Sequence, residues 1–398
     1  MPVADHETSD VSADILAKLT PLFPVLGITR VANVTGLDRI GIPVAMCIRP
    51  NAKHLSVSQG KGLTWEQAKI TAIMESVEAY HAENPALPAL VGTYQQLQSH
   101  YHLLNPAILS GGFFQWQADK HVLEWLAATD LFSQRTLYIP REIVCLDSSY
   151  CRLYGALFAV SSTGLAAGST HAAAILHGLY EVIERDALWH WRSLSRAARD
   201  ATSVALDNVD SVVNRELLKQ LFAAELRVSV WNMTSTLEVP AYYCELADES
   251  VGVCHGSAAH ASAEVALTKA LLEAAQARLT YICGTREEIF PGYYTLHHRI
   301  KSYTRGAEDT SPVSTAIYST LSMHKAQNKR DSMAVMLESP KSTRACEVRG
   351  VVTQADDMLQ WLMQRLVAHQ FTQLIVLDHT KPELAIPVVH VIVPGMQQ

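Results

Sequence analysis

The chain lacks several of the patterns that commonly announce a function. Its seven cysteines (Cys47, Cys145, Cys151, Cys244, Cys254, Cys283, Cys346) include no Cys-x-x-Cys pair, and its 17 histidines include no His-Glu-x-x-His. Scattered and odd in number, the thiols argue against a zinc knuckle or a disulfide framework and predict reduced cysteine. Basic charge is not in excess: 32 Lys and Arg stand against 39 Asp and Glu, a net charge of -7 that supplies no electrostatic footprint for nucleic acid. No apolar run reaches membrane-spanning length, and the polar, acidic start M-P-V-A-D-H-E-T-S-D has neither the basic start nor the apolar stretch of an export signal. The expectation is therefore a cytoplasmic protein without membrane contact. A Walker A loop is missing too, since Gly62 stands where Ser or Thr should follow Gly-Lys. Without a low-complexity linker, the 398 residues, 48% hydrophobic, read as a helical segment over 1–28 and then one compact domain, or two closely packed lobes, over 29–398.

What is present is a repeated template. Three stretches place an Ala, an acid seven positions later and a second acid or amide three further: Ala68, Glu75, Glu78; Ala174, Glu181, Glu184; Ala266, Glu273, Gln276. A hydroxyl residue (Thr64, Thr170, Ser262) stands eleven positions before each first acid, where a helix N-cap belongs. Residues i and i+3 share a helix face, so three helices would each present two oxygen-bearing side chains along one edge. The neighbours are small and apolar, and acids buried among them are costly unless paired or bound to a cation. A lone Glu-x-x-Glu is most simply an exposed face paired with Lys or Arg; recurrence in one register argues for a hard-metal site.

Between these helices the chain reads as α+β. Helical spacing covers Asp14 to about Leu26, and β-like runs broken by Gly36, Gly41 and Pro43 follow up to Arg49. Ser56 to Thr64 reads as a glycine loop with Lys61 between Gly60 and Gly62, and two further small-residue turns precede the second and third helices. Strand candidates are T-L-Y-I-P, E-I-V-C-L, Tyr154 to Val160, V-S-V-W-N-M, A-Y-Y-C-E-L, L-I-V-L and I-P-V-V-H-V-I-V, with helices near 214–223 and 354–369. The polar stretch 303–347 reads as a long loop region and a lid.

Lys61, Arg185, Arg278 and Arg286 offer positive charge beside the acids. Magnesium takes oxygen ligands and commonly shares them with substrate phosphates, and a Gly-Lys-Gly turn at a helix N-terminus adds amide donors for anions. Together they suggest a nucleotide. Glu184-Arg185-Asp186 could equally be a surface ion-pair cluster, and His177, one turn before Glu181, reads as a buried, hydrogen-bonded histidine. A di-iron bundle would need Glu-x-x-His pairs, which neither acidic pair has.

S-Q-G-K-G-L-T-W-E-Q-A-K-I-T-A-I-M-E-S-V-E-A-Y, S-S-T-G-L-A-A-G-S-T-H-A-A-A-I-L-H-G-L-Y-E-V-I-E-R-D-A and A-L-T-K-A-L-L-E-A-A-Q-A-R-L-T-Y-I-C-G-T-R-E resemble, in order, the three nucleotide-binding segments of the YcaO family. The likeness runs from about Thr29 to the terminal I-P-V-V-H-V-I-V-P-G. It implies an α+β fold with mixed or antiparallel sheets, packed helices and a non-Walker ATP site. It also implies a reaction in which ATP phosphorylates a peptide backbone amide oxygen and a nucleophile then attacks the activated carbon. A Cys, Ser or Thr side chain would give an azoline, sulfide a thioamide and an amine an amidine.

Carried over by position, Glu75, Glu78, Glu181 and Glu184 match the acids that bind magnesium and phosphate. Ser58, Lys61, Arg185, Gln276 and Arg286 match nucleotide or phosphate contacts, with Arg185 and Arg286 as the catalytic arginines. Three departures stand out: Ala79 where many members have Arg, Ser169 for a frequent Asn, and Ala172-Ala173 for a usually acidic pair. The last would remove one metal contact. The end P-G-M-Q-Q differs from the Pro-x-Pro-x-Pro tail of many azoline-forming members and resembles members that act with a TfuA-type partner, many linked to thioamides. The expected partners are thus a peptide substrate and a TfuA-like or peptide-recognition protein, with a homodimer as the prior for a soluble enzyme. A decayed nucleotide-binding scaffold and a small-molecule phosphotransferase are the competing readings.

Overall fold

A computed structural model describes residues 4–109, 117–149, 157–158, 160–285 and 354–397. These belong to a compact unit spanning 1–287 and 350–398. The expected lid at 303–347, Arg286 and most of the strand expected at Tyr154 to Val160 lie outside the described residues.

The chain starts with helix α1 (Ala4–Leu19), a turn at Thr20–Leu22 and a short helix at Phe23–Leu26 that Gly27, at φ +72°, stops. The first sheet is an antiparallel meander of β1 (Arg30–Asn33), β2 (Val44–Ile48) and β3 (Val57–Lys61). Helix α2 (Trp65–Glu83) follows directly. Strands β4 (Leu90–Thr93), β5 (Val122–Asp130), β6 (Arg135–Pro140) and β7 (Leu165–Ala167) lead to helix α3 (His171–Ser193). Helix α4 (Val212–Ala223) precedes a second antiparallel meander, β8 (Arg227–Asn232), β9 (Ala241–Asp248) and β10 (Gly252–Ala259), and then helix α5 (Ala263–Cys283). After helix α6 (Gln354–Ala368), strands β11 (Ile375–Asp378) and β12 (Val388–Ile392) complete a third sheet in the order β4-β5-β11-β12-β7, with β6 on β5. The fold is α+β, with antiparallel pairing between the named strands.

All three template caps form. The side chains of Thr64, Thr170 and Ser262 accept hydrogen bonds from the N–H groups of Gln67, Ala173 and Val265, each worth about 1 kcal/mol. The template alanines Ala68, Ala174 and Ala266 are fully buried, for a reason the glycines supply. A Cβ on Gly60 would lie 2.1 Å from the Ala72 nitrogen, one on Gly256 2.3 Å from the Ala274 nitrogen, and one on Gly168 2.4 Å from the Ala174 nitrogen. Helix backbone therefore rests almost on strand backbone, and only Gly against Ala leaves room.

Two expectations change here. Ser56 to Thr64 is not a glycine loop, since Val57 to Lys61 forms β3 and pairs along its length with β2; Gly60 serves close packing rather than a turn. Gly256 likewise sits inside β10. E-I-V-C-L is not a strand but a single 3-10 turn at Arg141–Ile143 followed by irregular chain, anchored where buried Glu142 accepts the N–H groups of Leu157 and Phe158.

The three capped helices close a ring. Helix α2 packs on β3 and β7, α3 on β7 and β10, and α5 on β10 and β3. Each helix thus bridges its own preceding strand and the next one round, and the sequence repeat becomes an approximate threefold arrangement.

Candidate active site

The acids sit at the seams of this ring, and in the first two helices they are held alike. On α2, Glu75 Oε2 accepts the N–H of Gln59 in β3 at 2.9 Å, and Glu78 Oε1 accepts the N–H of Ala167 in β7 at 2.7 Å. On α3, Glu181 Oε2 accepts the N–H of Gly164 beside β7 at 3.1 Å, and Glu184 Oε1 accepts the Ser257 hydroxyl of β10 at 2.5 Å. The first acid of each pair grips its own strand and the second the next strand. On α5 the pattern changes: Glu273 Oε2 meets the Lys61 ammonium of β3 at 3.2 Å, while the Oε1 of Gln276, one turn on, is buried with no hydrogen-bond partner among the described residues.

Burial raises the carboxyls of Glu78, Glu181 and Glu184 above the ordinary range. Glu75 and Glu181 push Glu78 further, and burial with the charge of Glu273 brings Glu184 up to about 8. For Lys61, burial would lower the ammonium, but Glu273, joined by Glu75 and Glu184, raises it above its ordinary range. Arg185 lies 3.5 Å from Glu181 and 3.9 Å from Glu184. Side-chain exposure runs from 10% at Glu184 through 27% at Lys61 and Glu181 to 31% at Glu273 and 41% at Arg185, as expected of groups lining a cleft.

The structure therefore brings Lys61, Glu75, Glu78, Glu181, Glu184, Arg185 and Gln276 to one region. Ser58 is buried on the face of β3 shared with Gly60, toward α2, while Gln59 and Lys61 point toward α5. Arg278 does not join them. It is fully buried, with Asp38 and Asp248 each 2.9 Å away, and it ties α5 to the loop after β1 and to the end of β9. His177 is exposed by surface area rather than a core residue, yet it keeps the expected hydrogen bond, to the backbone of Ala167, and desolvation lowers its imidazole to about 4. Two contributors were not among the expected site residues: Glu273, which the template contains but to which no role was given, and Ser257.

Does a divalent cation with phosphates suit this donor set? Carboxylates that crowd and raise one another are stabilised by a cation among them, and hard oxygen donors favour Mg2+ over thiolate- or imidazole-seeking metals. Among the described residues no three acid, His or Cys side chains lie close enough to hold an ion by themselves. That agrees with Mg2+, which is usually bound by one or two carboxylates and completed by substrate phosphates and water. The orphaned Gln276 carbonyl and the cations Lys61 and Arg185 are suited to the remaining parts of a nucleotide. The donor set fits.

Fold and site together define an α+β protein whose centre is a ring of carboxylates and cations rather than a phosphate loop. The profile of the YcaO cyclodehydratase family, ATP- and Mg2+-binding, matches residues 59–397, and the chain belongs to this family. A Rhizobium leguminosarum bv. trifolii protein encoded in the tfuA 3′ region is 28% identical over 407 aligned residues, covering 98% of this chain and 89% of that one. Among solved structures, the YcaO protein of Methanopyrus kandleri, bound with AMPPCP and Mg2+, superposes with a TM-score of 0.62 at 20% identity, covering 98% of this chain and 91% of that one. A heterocyclase in complex with substrate and cofactor gives 0.64 at 18% identity, covering 93% of this chain and 50% of that one. At these identities the structures speak for the fold. No helix of the described residues is long and apolar enough to cross a membrane.

Proposed function

We infer that the chain is an ATP- and Mg2+-dependent enzyme that activates a peptide backbone amide. The observation that carries this reading is the ring of Glu75, Glu78, Glu181, Glu184 and Glu273, lodged among strand amides and cations. An amide oxygen is a poor leaving group until phosphorylated. In the reaction it would attack the γ-phosphorus of ATP, ADP would leave, and a nucleophile would add to the activated carbon before phosphate departs. Bound Mg2+ would neutralise phosphate charge, each ion held by one or two of Glu75, Glu78, Glu181 and Glu184 and completed by phosphate oxygens and water. The backbone N–H groups of Gln59, Ala167 and Gly164 and the hydroxyl of Ser257 fix those carboxylates in advance, so little reorganisation is needed. Arg185, tethered by Glu181 and Glu184, presents its guanidinium where charge builds during transfer, and Gln276 is placed to meet the nucleotide.

The product favoured here is a thioamide, with sulfide as nucleophile and a TfuA-like partner presenting the peptide. What supports it is the relative encoded in the tfuA 3′ region. The second reading is an azoline formed by a Cys, Ser or Thr side chain, which the family's description as cyclodehydratases favours. Mass spectrometry of a candidate peptide treated with the protein, Mg·ATP and sulfide separates the two: a gain of about 16 Da marks oxygen replaced by sulfur, a loss of about 18 Da marks cyclodehydration, as amide activation requires. Glu75→Gln and Glu184→Gln should abolish peptide-dependent release of ADP and phosphate. Wild-type turnover in both would overturn the metal assignment, and failure of the wild-type chain to bind Mg·ATP would favour a decayed scaffold.

A further inference from the structure

A basic surface adjoins the carboxylate ring. The chain as a whole carries a net charge of -7, yet arginines gather where α3 leaves the site. Arg192 stands seven residues after Arg185 on the same helix face, about 10 Å along the axis, and is exposed. The short helix Arg196–Asp200 that follows brings Arg199 over the Trp191 ring at 5.5 Å, while Arg192 lies over the Tyr243 ring at 5.7 Å.

Beneath these arginines lies one face of the β8-β9-β10 sheet. Pairing in register sets Trp231 and Ser257 against Tyr243 and His255 against Glu245, so side-chain alternation places all five on that face, opposite the one where Gly256 meets α5. The half nearest the ring is occupied: Ser257 donates to Glu184, and Trp191 stacks on Tyr243 at 5.0 Å. The other half carries Glu245 and His255, both half-buried, and His255 is only about 7 Å along β10 from Ser257. Glu245 accepts the Tyr243 hydroxyl at 3.2 Å. Burial raises its carboxyl even though Arg227, Arg199 and Arg192 all act on it, and burial with the charge of Arg192 lowers the His255 imidazole to about 4. Three arginines thus share one carboxylate beside a neutral histidine, a surplus of positive charge at the mouth of the site.

We propose that the peptide substrate lies across this face as it enters the site, and that the face selects peptides with carboxylate side chains about three residues from the amide to be activated. The proposal rests on the amide-activation reading above and deepens it by naming the charge of the substrate. The spacing follows from the rise from Arg185 to Arg192, about 10 Å, which an extended chain covers in about three residues. Arginine forks pair with carboxylates through two parallel hydrogen bonds, and the aromatic floor of Trp231 and Tyr243 offers the peptide apolar contact.

Fluorescence anisotropy of labelled Gly-Ser peptides of one length, carrying Glu, Gln or Lys at alternate positions and added to the full chain with Mg·ADP, tests this. The Glu peptide should bind about 10- to 100-fold more tightly than the Gln peptide, the range for charge-assisted contacts, and the Lys peptide weakest of all. Arg192→Gln combined with Arg199→Gln should abolish most of that preference. Glu245→Gln removes the competing carboxylate and should tighten the Glu peptide about 3-fold, a gain that misfolding does not produce. Lys219→Gln on α4, where the side chain is 77% exposed, is the control and should change nothing. Equal binding of Glu and Gln peptides, an unchanged preference in the double variant, or no gain in Glu245→Gln overturns the proposal. A double variant that changes oligomeric state in sedimentation would assign the face to a second copy of the chain and overturn it too. Mg·ATP calorimetry on the same proteins separates the two readings: a wild-type chain that binds Mg·ATP but does not prefer the Glu peptide refutes the peptide face alone, and one that prefers the Glu peptide but binds no Mg·ATP refutes amide activation.

Discussion

Gly60→Ala should damage the protein far more than its single methyl group suggests. The new Cβ would stand 2.1 Å from the Ala72 nitrogen, 2.2 Å from the Ala68 oxygen and 2.5 Å from the Thr71 Oγ1. Two of the three are helix backbone, which cannot swing aside like a side-chain end. Ordinary contact begins near 3.4 Å, so α2 must retreat from β3 by on the order of 1 Å in a close-packed interior. Overpacking of this kind costs about 3 kcal/mol, on the order of 5 °C in midpoint for a domain of this size. The helix carries Glu75 and Glu78, and Glu75 is fixed by the N–H of Gln59, the residue before Gly60. A misplacement of about 1 Å at such a site can cost about 100-fold in rate. Gly36→Ala is the matched control, because nothing lies within 4 Å of its Cβ, and its effect should stay within about 0.5 kcal/mol. Thermal unfolding and Mg·ATP calorimetry on both variants decide the matter. Equal midpoints and equal nucleotide affinities for the two would refute the argument that helix-on-strand contact sets the site.

Arg278→Met should destabilise by about 3 kcal/mol, because it leaves Asp38 buried without its guanidinium and Asp248 with Arg39 as its remaining cation; denaturant unfolding measures this, and a loss below about 1 kcal/mol would show that the two aspartates do not depend on Arg278. For pH, His390 is decisive: it is 2% exposed, and burial lowers its imidazole from 6.5 to about 4. A base with a depressed native pKa favours folding above the unfolded pKa, and this stability is lost as pH falls through 6.5 toward about 4, about 3 kcal/mol in all. Buried His379, also depressed, adds in the same direction. His390→Leu should flatten this acid limb in urea unfolding measured between those pH values; an unchanged slope would refute the assignment.

Local features were legible in advance because short-range geometry encodes them. Thr64, Thr170 and Ser262 cap their helices as expected, since a cap bond spans three residues, and the acids share helix edges because i and i+3 do so in any helix. Glycine misled for the same reason: local preference reads Gly60 as a turn, whereas a helix crossing overhead needs it within a strand. The choice between Arg278 as a site residue and as a buried brace lay equally out of reach, because its partner Asp38 is 240 residues away.

The sequence by itself thus determined the family, the three capped helices and the four acids of the first two, all carried by spacings shorter than a helix. Tertiary structure alone decided that the helices close a ring through β3, β7 and β10, and that Glu273 meets Lys61 across 212 residues. Those contacts follow from how strands and helices stack to bury their alanine and glycine faces, and no local periodicity specifies which distant side chains such stacking brings together.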